Sequence, residues 1–560
     1  MELLAEIAHG TARDLLGRVP PIPVATALAD GSIVHVTAVD GAPAALELLA
    51  EAGSAKAAIH RIAARFKLDP LHPPAVEAEA QACVAAPGID DPALVDLEHL
   101  AFCTIDNDDS RDLDQALCIA KDEADPDGHV VWYALADASY YVRPGTALFR
   151  EALARGASYY LPGVVVPMLP RSLSEGIVSL NADVRRRALV FRAELDGAGQ
   201  VRATSFVRGR IRSRAKLSYH GVQRHYGDGS LAGHDFSETL DELRVVGQRR
   251  IKLAEARHVV EYVRHEIEIG YADQAGLRFV AFEEGRTDTD RYNEQISLLV
   301  NSEGAELLAR HLGDPSLQAI FRVHPEPAEV DIAALERHIG ALVALHQLDA
   351  SWRWKAADEP LAAYVARLPT TGPHAAIAQA IERQALLVNQ RSSFAAEPGL
   401  HYGVGVPLYA RFSSPMREMV GIFTHKEALE ALAGVPGDPA DLALRDAVIQ
   451  KANAAKVLQK ELTKAANQLV IDALLRPGME LAGIVLGLGP DKLYVQLDDP
   501  PLEVKVYAVD LGKDFALDKG GVSASVGGRR FALGDRVQLS VLGHDDIRDR
   551  WRLAPRAPAP

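Results

Sequence analysis

The alternation of apolar and polar positions divides this chain into stretches of different character. Residues 2–16 carry apolar side chains at helical spacing, residues 22–39 read as a hairpin turning at Asp30-Gly31, and residues 44–52 and 54–66 read as two further helices. Helices with one hairpin predict a small α+β unit of winged-helix type over residues 1–78, ending in the linker Asp69-Pro70-Leu71-His72-Pro73-Pro74. From about residue 95 to 220, short apolar runs predict strands. Beyond 220 the period lengthens, and helices are expected over 291–312, 373–389 and 440–475. After Pro477-Gly478 the pattern turns all-β, with strands over 480–486, 492–497, 503–509, 529–533 and 535–542. That set suits an oligonucleotide-binding (OB-fold) barrel or a generic small barrel. The fold class is therefore α+β multidomain, divided into 1–78, 79–475 and 476–557.

Between the strand runs 102–105 and 116–120 stands an acidic segment, Asp106-Asn107-Asp108-Asp109-Ser110-Arg111-Asp112-Leu113-Asp114. Carboxylates crowded this closely repel one another, and a fold that gathers them calls for cations. Magnesium or manganese is the first hypothesis. A calcium-binding hand is a poor match, because its central glycine and closing glutamate are missing. A solvated surface loop between two strands fits the local sequence as well.

The chain has 560 residues, enough for two to four domains, and its 48% hydrophobic and 24% charged residues are ordinary for a soluble protein. No leader is evident at the start and no stretch is apolar enough to span a membrane. The sparse cysteines Cys83, Cys103 and Cys118 indicate a reduced, cytoplasmic protein without a disulfide framework. A net charge of -16 argues against nucleic acid as a partner, yet a local groove can carry the opposite sign. Arg208, Arg210, Arg212, Arg214 and Lys216 alternate with small or apolar residues, which on one strand would form a basic stripe. Arg185, Arg186 and Arg187 add to it. The stripe could follow a phosphate backbone or protect a sheet edge by charge. Lys456, Lys460 and Lys464 would share a helix face, and His60, Arg61, Arg65 and Lys67 form a modest patch near the N-terminus. For both, a solvated face and contact with RNA stay open.

Several stretches in order resemble the RNB exoribonucleases, the ribonuclease II and ribonuclease R type of enzyme, over about residues 97–430. They are Thr104-Ile105-Asp106 with Asp112-Leu113-Asp114; Tyr160-Leu161-Pro162-Gly163 with Pro167-Met168-Leu169-Pro170 and Ser179-Leu180; Ala215-Lys216-Leu217-Ser218-Tyr219; Glu294 with Asn301; Arg322-Val323-His324; and Ser414-Pro415-Met416-Arg417. Residues 533–537, Leu-Gly-Asp-Arg-Val, resemble part of the S1 RNA-binding domain that follows the catalytic domain in this family. The first 80 residues do not resemble the cold-shock barrels usual there.

The resemblance implies magnesium-dependent, stepwise and sequence-blind hydrolysis of single-stranded RNA from its 3′ end to nucleoside 5′-monophosphates, with manganese able to substitute. By correspondence, Asp106, Asp112 and Asp114 bind two ions roughly 3.5–4 Å apart, with Gln115 at the position of a fourth aspartate. Arg417 touches the scissile phosphate. Tyr160 and Tyr271 bracket the stacked terminal bases, while Tyr219 and Glu294 hold the last nucleotide and sense its 2′-hydroxyl. Three departures stand out: Gln115 removes one negative charge, Gly421 replaces an aspartate, and Met419 replaces an aromatic residue. They motivate a second reading, a catalytically weak RNA-binding protein; a DNA exonuclease is a third. The expected partner is RNA with a single-stranded 3′ end, bound by a monomer that makes no membrane contact.

Overall fold

A seven-stranded sheet with both faces covered forms the centre of the molecule, a computed structural model that describes residues 1–39, 42–259, 266–313, 317–512 and 514–556. Residue 557, the expected end of the C-terminal domain, lies outside the described residues. The strand order is Ala215–Ser218, Cys103–Asp106, Gln115–Asp122, Asp125–Ala136, Arg185–Leu195, Val201–Arg212 and Val95–Asp96. The outermost pair at each end is parallel and the inner pairs are antiparallel. Ala116 and Cys118 face a layer containing Phe423 and Val448, whereas Leu117 and Ile119 face Leu240, Leu243 and Ile296 on the other side. Burial on both faces explains why 116–120 reads as an unbroken apolar run.

Only Ser213 and Arg214 separate Arg212 from Ala215, although their strands stand near opposite ends of the sheet. Three peptide steps reach at most about 11 Å, so the sheet curls to bring its ends together. The curl sets Ser218 opposite Asp106 and starts the helix Tyr219–Asp228 beside the acidic segment. The helices expected over 291–312, 373–389 and 440–475 are present as Asp288–Arg310, Ala375–Leu387 and Asp441–Leu474. Among the described residues, no helix is long and apolar enough to cross a membrane.

At the N-terminus the expectation is corrected. Residues 2–16 form the strands Glu2–Ala8 and Thr11–Asp14, and the helix expected over 44–52 is the strand Ala42–Ala50. The sheet order is Ile22–Pro23, Thr11–Asp14, Glu2–Ala8, Ile33–Val39, Ala42–Ala50, so no winged-helix arrangement is built. Buried Leu3, Ala5 and Ile7 carry a period of two, and His9 and Gly10, both at positive φ, close a tight hairpin. The good helix formers Ala, Leu and Glu are overruled by that turn and by burial on one sheet face. The helix Ala55–Arg65 does form, and it packs on the hairpin Tyr159–Leu161/Val164–Val166 and on the long helix Asp441–Leu474.

The C-terminal sheet runs Glu503–Tyr507, Lys492–Leu497, Glu480–Gly489, Arg536–Asp545, Arg550–Pro555. Its fifth strand is Arg550–Pro555; the strand expected over 529–533 exists as Arg529–Ala532 but belongs to a separate three-stranded sheet. In the fifth strand Arg550 and Arg552 alternate with Trp551 and Leu553, and Leu553 is buried. The sheet packs its apolar face on Glu329–Leu345 and Ala375–Leu387.

Within Asp288–Arg310, Gly304 faces Phe412, and a Cβ there would stand 2.3 Å from the ring. Gly304→Ala is expected to cost about 1–3 kcal/mol through overpacking, read as a lower unfolding midpoint in a denaturant titration. An unchanged midpoint would contradict this packing.

Candidate active site

The acidic segment leaves the strand Cys103–Asp106 and ends where Gln115–Asp122 begins, and its backbone is pinned rather than solvated. Leu113 N donates to Ser179 Oγ at 2.9 Å, Ser179 Oγ donates to Arg111 O at 2.8 Å, and Leu180 N donates to Leu113 O at 3.0 Å. Lys216 Nζ donates to Asp108 O at 2.8 Å. Asp114 is 0% exposed. One carboxylate oxygen accepts from Met416 N at 2.9 Å and the other from Arg417 Nε at 2.6 Å. Burial pushes the Asp114 carboxyl up to about 6, with Arg417 pulling the other way. Burial also raises Asp112, whose carboxylate accepts from the Tyr160 hydroxyl at 3.4 Å. Asp106 accepts from Asn107 N at 2.8 Å and Ser110 Oγ at 2.9 Å.

The loop carrying Arg417 is held by buried Asn301. Its Oδ1 accepts from Phe412 N at 2.8 Å and Ser413 N at 2.9 Å; its Nδ2 donates to the Tyr409 hydroxyl at 2.9 Å and Ser413 Oγ at 3.0 Å. Burial works against the Arg417 charge, but Asp114, Tyr160, Asp106 and Asp112 around it keep its pKa above the ordinary value.

Tyr160 lies beside this centre on Tyr159–Leu161, 42% exposed, with its backbone clipped in both directions by the Gln459 amide at 3.0 and 3.1 Å. Tyr271 donates to Pro162 O at 2.6 Å and packs on Gly163, where a Cβ would come within 2.2 Å of its ring. The same hairpin therefore seats both tyrosines. Tyr219 opens its helix and accepts from Asn293 Nδ2 at 3.3 Å; the adjacent Glu294 is exposed and pairs with Arg286 at 2.7 Å.

The sequence model of the RNB domain matches residues 94–434. The chain belongs to the RNB family. Ribonuclease R of Escherichia coli (strain K12) is 26% identical over 465 residues, covering 80% of this chain and 55% of that protein. The chain spans about half the length of the curated relatives it matches. Mycoplasma genitalium RNase R in complex with ribose methylated single-stranded RNA aligns with a TM-score of 0.81 at 19% identity, over 95% of this chain and 84% of that one. Yeast Ssd1, a pseudonuclease, aligns with a TM-score of 0.58 at 16% identity, over 97% and 68%. At these identities the structural likeness is one of fold.

In this RNB chain the basic row does not remain free. Arg208 pairs with Asp137 at 2.9 Å, Arg210 with Glu98 and Asp96 at 2.6 and 2.9 Å, Arg212 with Asp183 at 3.5 Å, and Arg214 with Asp235 at 3.2 Å. The row is also broken across two strands, since Lys216 lies on Ala215–Ser218. Half of the N-terminal patch is likewise engaged: His60 is buried and pushed down to about 4 by that burial and by Lys56, and Arg61 binds Glu6 at 2.8 Å. Lys456, expected on a helix face with Lys460 and Lys464, has its ammonium buried 4.2 Å from the Phe394 ring centroid. Gly421 leaves no room for the family's aspartate, as a Cβ would stand 2.9 Å from Pro415 Cα. Met419 is simply core. Asn293 and Gln459, which orient Tyr219 and Tyr160, carried no sequence signal of their own.

By residue type, three carboxylates and the Gln115 amide suit a hard divalent cation, but among the described residues the ligand atoms of Asp106, Asp112 and Asp114 do not all lie within 4.8 Å of one another. The acidic group whose ligand atoms do lie within 4.8 Å of one another is Glu427, Glu430 and Asp441, but Lys426 Nζ sits among them at 2.7–3.0 Å and is already their cation. Because the folded Asp114 value lies above that of an unfolded chain, its ionised form costs stability above pH about 6, and the cost vanishes as pH falls. Cation binding runs the other way, since a protonated carboxyl is no ligand. Manganese affinity, followed by electron paramagnetic resonance, is expected to hold above pH about 6 and to fall by up to about tenfold per pH unit below it. A flat profile down to the ordinary aspartate range would remove Asp114 from the ligand set.

Proposed function

We propose that this chain is a metal-dependent, processive 3′-to-5′ exoribonuclease that degrades single-stranded RNA, whatever its sequence, to nucleoside 5′-monophosphates. The observation that carries this reading is the buried Asp114–Arg417 pair, with Asp112 and Tyr160 beside it, in a chain of the RNB family. Asp106, Asp112, Asp114 and Gln115 would hold magnesium, or manganese in its place, and the chemistry such a two-ion site would supply is activation of water and stabilisation of the leaving oxygen. Arg417, once Asp114 is engaged elsewhere, offers a planar guanidinium to charge developing on the phosphoryl oxygens.

Tyr160 presents an exposed ring to the terminal base, and stacking of this kind is worth about 1–3 kcal/mol per base without regard to sequence. Tyr271, fixed on the same hairpin, closes the far end of the stack. The Tyr219 oxygen already accepts from Asn293, which leaves its O–H to donate to the ribose, with Glu294 as acceptor for the 2′-hydroxyl. The five-stranded sheets at the two ends share one strand order, 3-2-1-4-5, and in each the third strand lies against the fifth. That supports reading both as OB-type barrels, the C-terminal one of S1 type over 476–557, flanking a catalytic domain. The partner is RNA with a free 3′ end, met by a monomer in the cytoplasm.

A second reading, RNA binding with little catalysis, is favoured by Gln115 and by the likeness to a pseudonuclease. A timed digest of end-labelled RNA across a magnesium titration decides between them. Mononucleotides released from the 3′ end, and stopped by EDTA, are expected. Asp114→Asn should abolish cleavage while RNA binding persists, and Arg417→Ala should slow it by about a hundredfold or more. Binding without nucleotide release at any magnesium or manganese concentration would establish the second reading. Equal turnover of DNA would remove the roles given to Tyr219 and Glu294.

A further inference from the structure

Next to Arg417 lies a cavity of about 500 Å³ whose walls include Tyr160, Arg322, Phe394, Arg411, Arg417 and Lys456. Its charges do not cancel. Arg411 is matched by Glu418 through two bonds at 3.0 and 3.2 Å, and Arg417 by Asp114. Among the described residues neither Arg322 nor Lys456 has a carboxylate within ion-pair distance; Glu418, bonded to Arg411, acts on both from farther away. Arg322 donates only to Ser392 Oγ, at 3.2 and 3.4 Å. Lys456 Nζ is buried without a hydrogen-bond acceptor, held over the Phe394 ring, which Arg322 also approaches at 5.8 Å. Burial, together with repulsion from Arg322 and Arg411, pushes the Lys456 ammonium down to about 7, with Glu418 pulling the other way. With Arg322, Arg411, Arg417 and Lys456 against the single carboxylate Glu418 in its lining, the cavity holds excess positive charge, which is costly to maintain and which an entering anion relieves.

The volume falls in the range of small-molecule sites and is generous for inorganic phosphate alone. Tyr160 and Phe394 supply aromatic walls suited to a base. The cavity shares Tyr160 and Arg417 with the acidic centre, so the two adjoin. A threaded strand keeps its own entrance filled, and the severed nucleotide needs another place to go. Its phosphate, now a monoester, carries about one more negative charge at pH 7 than the diester it came from. We infer that this cavity receives the released nucleoside 5′-monophosphate, with Lys456 and Arg322 holding its phosphate and Phe394 or Tyr160 facing its base. The identity of the ligand rests on the proposed exoribonuclease reading; the anion site does not.

Calorimetric titration of the full chain with 5′-AMP, in EDTA so that no divalent ion takes part, tests this. Binding is expected, with adenosine weaker by about tenfold or more and inorganic phosphate competing. Lys456→Gln and Arg322→Gln should each weaken 5′-AMP by about tenfold or more, while Lys456→Arg retains it. Lys456→Met, which keeps the packing volume, replaces the glutamine variant if the latter melts early by circular dichroism. Folded variants that bind 5′-AMP as the parent does, adenosine binding as tightly as 5′-AMP, or no binding at all would each overturn the inference. If these titrations succeed while RNA is not degraded, the exoribonuclease reading fails and the anion site stands; if RNA is degraded and the variants bind unchanged, only this inference falls.

Discussion

Asp114 and Arg417 are separated by 303 positions in the chain and meet as a buried ion pair. Removing one partner from such a pair leaves an uncompensated charge, at a cost of about 3–5 kcal/mol, so whatever positions either residue is under the same constraint. On one side the constraint reaches the central sheet through the strand that follows Asp114, and Ser179 through the hydrogen bonds that pin the loop. On the other it reaches Asn301, whose four bonds fix the backbone ahead of Arg417. The apolar layers on the two faces of the sheet hold these supports in register, which is what lets two like-charged neighbours, Asp112 and Asp114, be gathered at all.

Electrostatics in this molecule are local. The chain is acidic overall, with a net charge of -16, yet the cavity beside Arg417 holds cations in excess of anions. The reverse holds at the arginine row of the central sheet, where Asp96, Glu98, Asp137, Asp183 and Asp235 take up the charge. A row of arginines therefore says little about phosphate binding until its partners are known. What distinguishes Lys456 and Arg322 is that no carboxylate pairs with them directly and Glu418, which acts on both, is already bonded to Arg411, although Lys456 looked in sequence like one member of a solvated helix face.

Chemistry on the acidic side and binding on the basic side share Tyr160. Its hydroxyl touches Asp112, its backbone is clipped to Gln459 on the long helix, and its ring lines the cavity. One side chain thus stands where a strand would end and where a product would leave, and its substantial exposure is consistent with contact to a ligand on either side.

The sequence by itself determined that strands fill the region up to about 220, the long helices and the residues of the acidic segment, because each is written in a short window: an apolar run, a 3.6-residue period, or a motif with its members in order. It did not determine the N-terminal sheet, where good helix formers are overruled by the His9-Gly10 turn and by burial on one face. Nor did it determine the fifth C-terminal strand, whose alternation lasts only from Arg550 to Leu553 before Ala554 and Pro555. Only the tertiary structure decided that Asp114 is buried against Arg417, that the arginine row is spent in ion pairs, and that Lys456 and Arg322 converge unpaired on Phe394. The physical reason is common to all three: which charges meet depends on packing between segments far apart in the chain, and no local period carries that information.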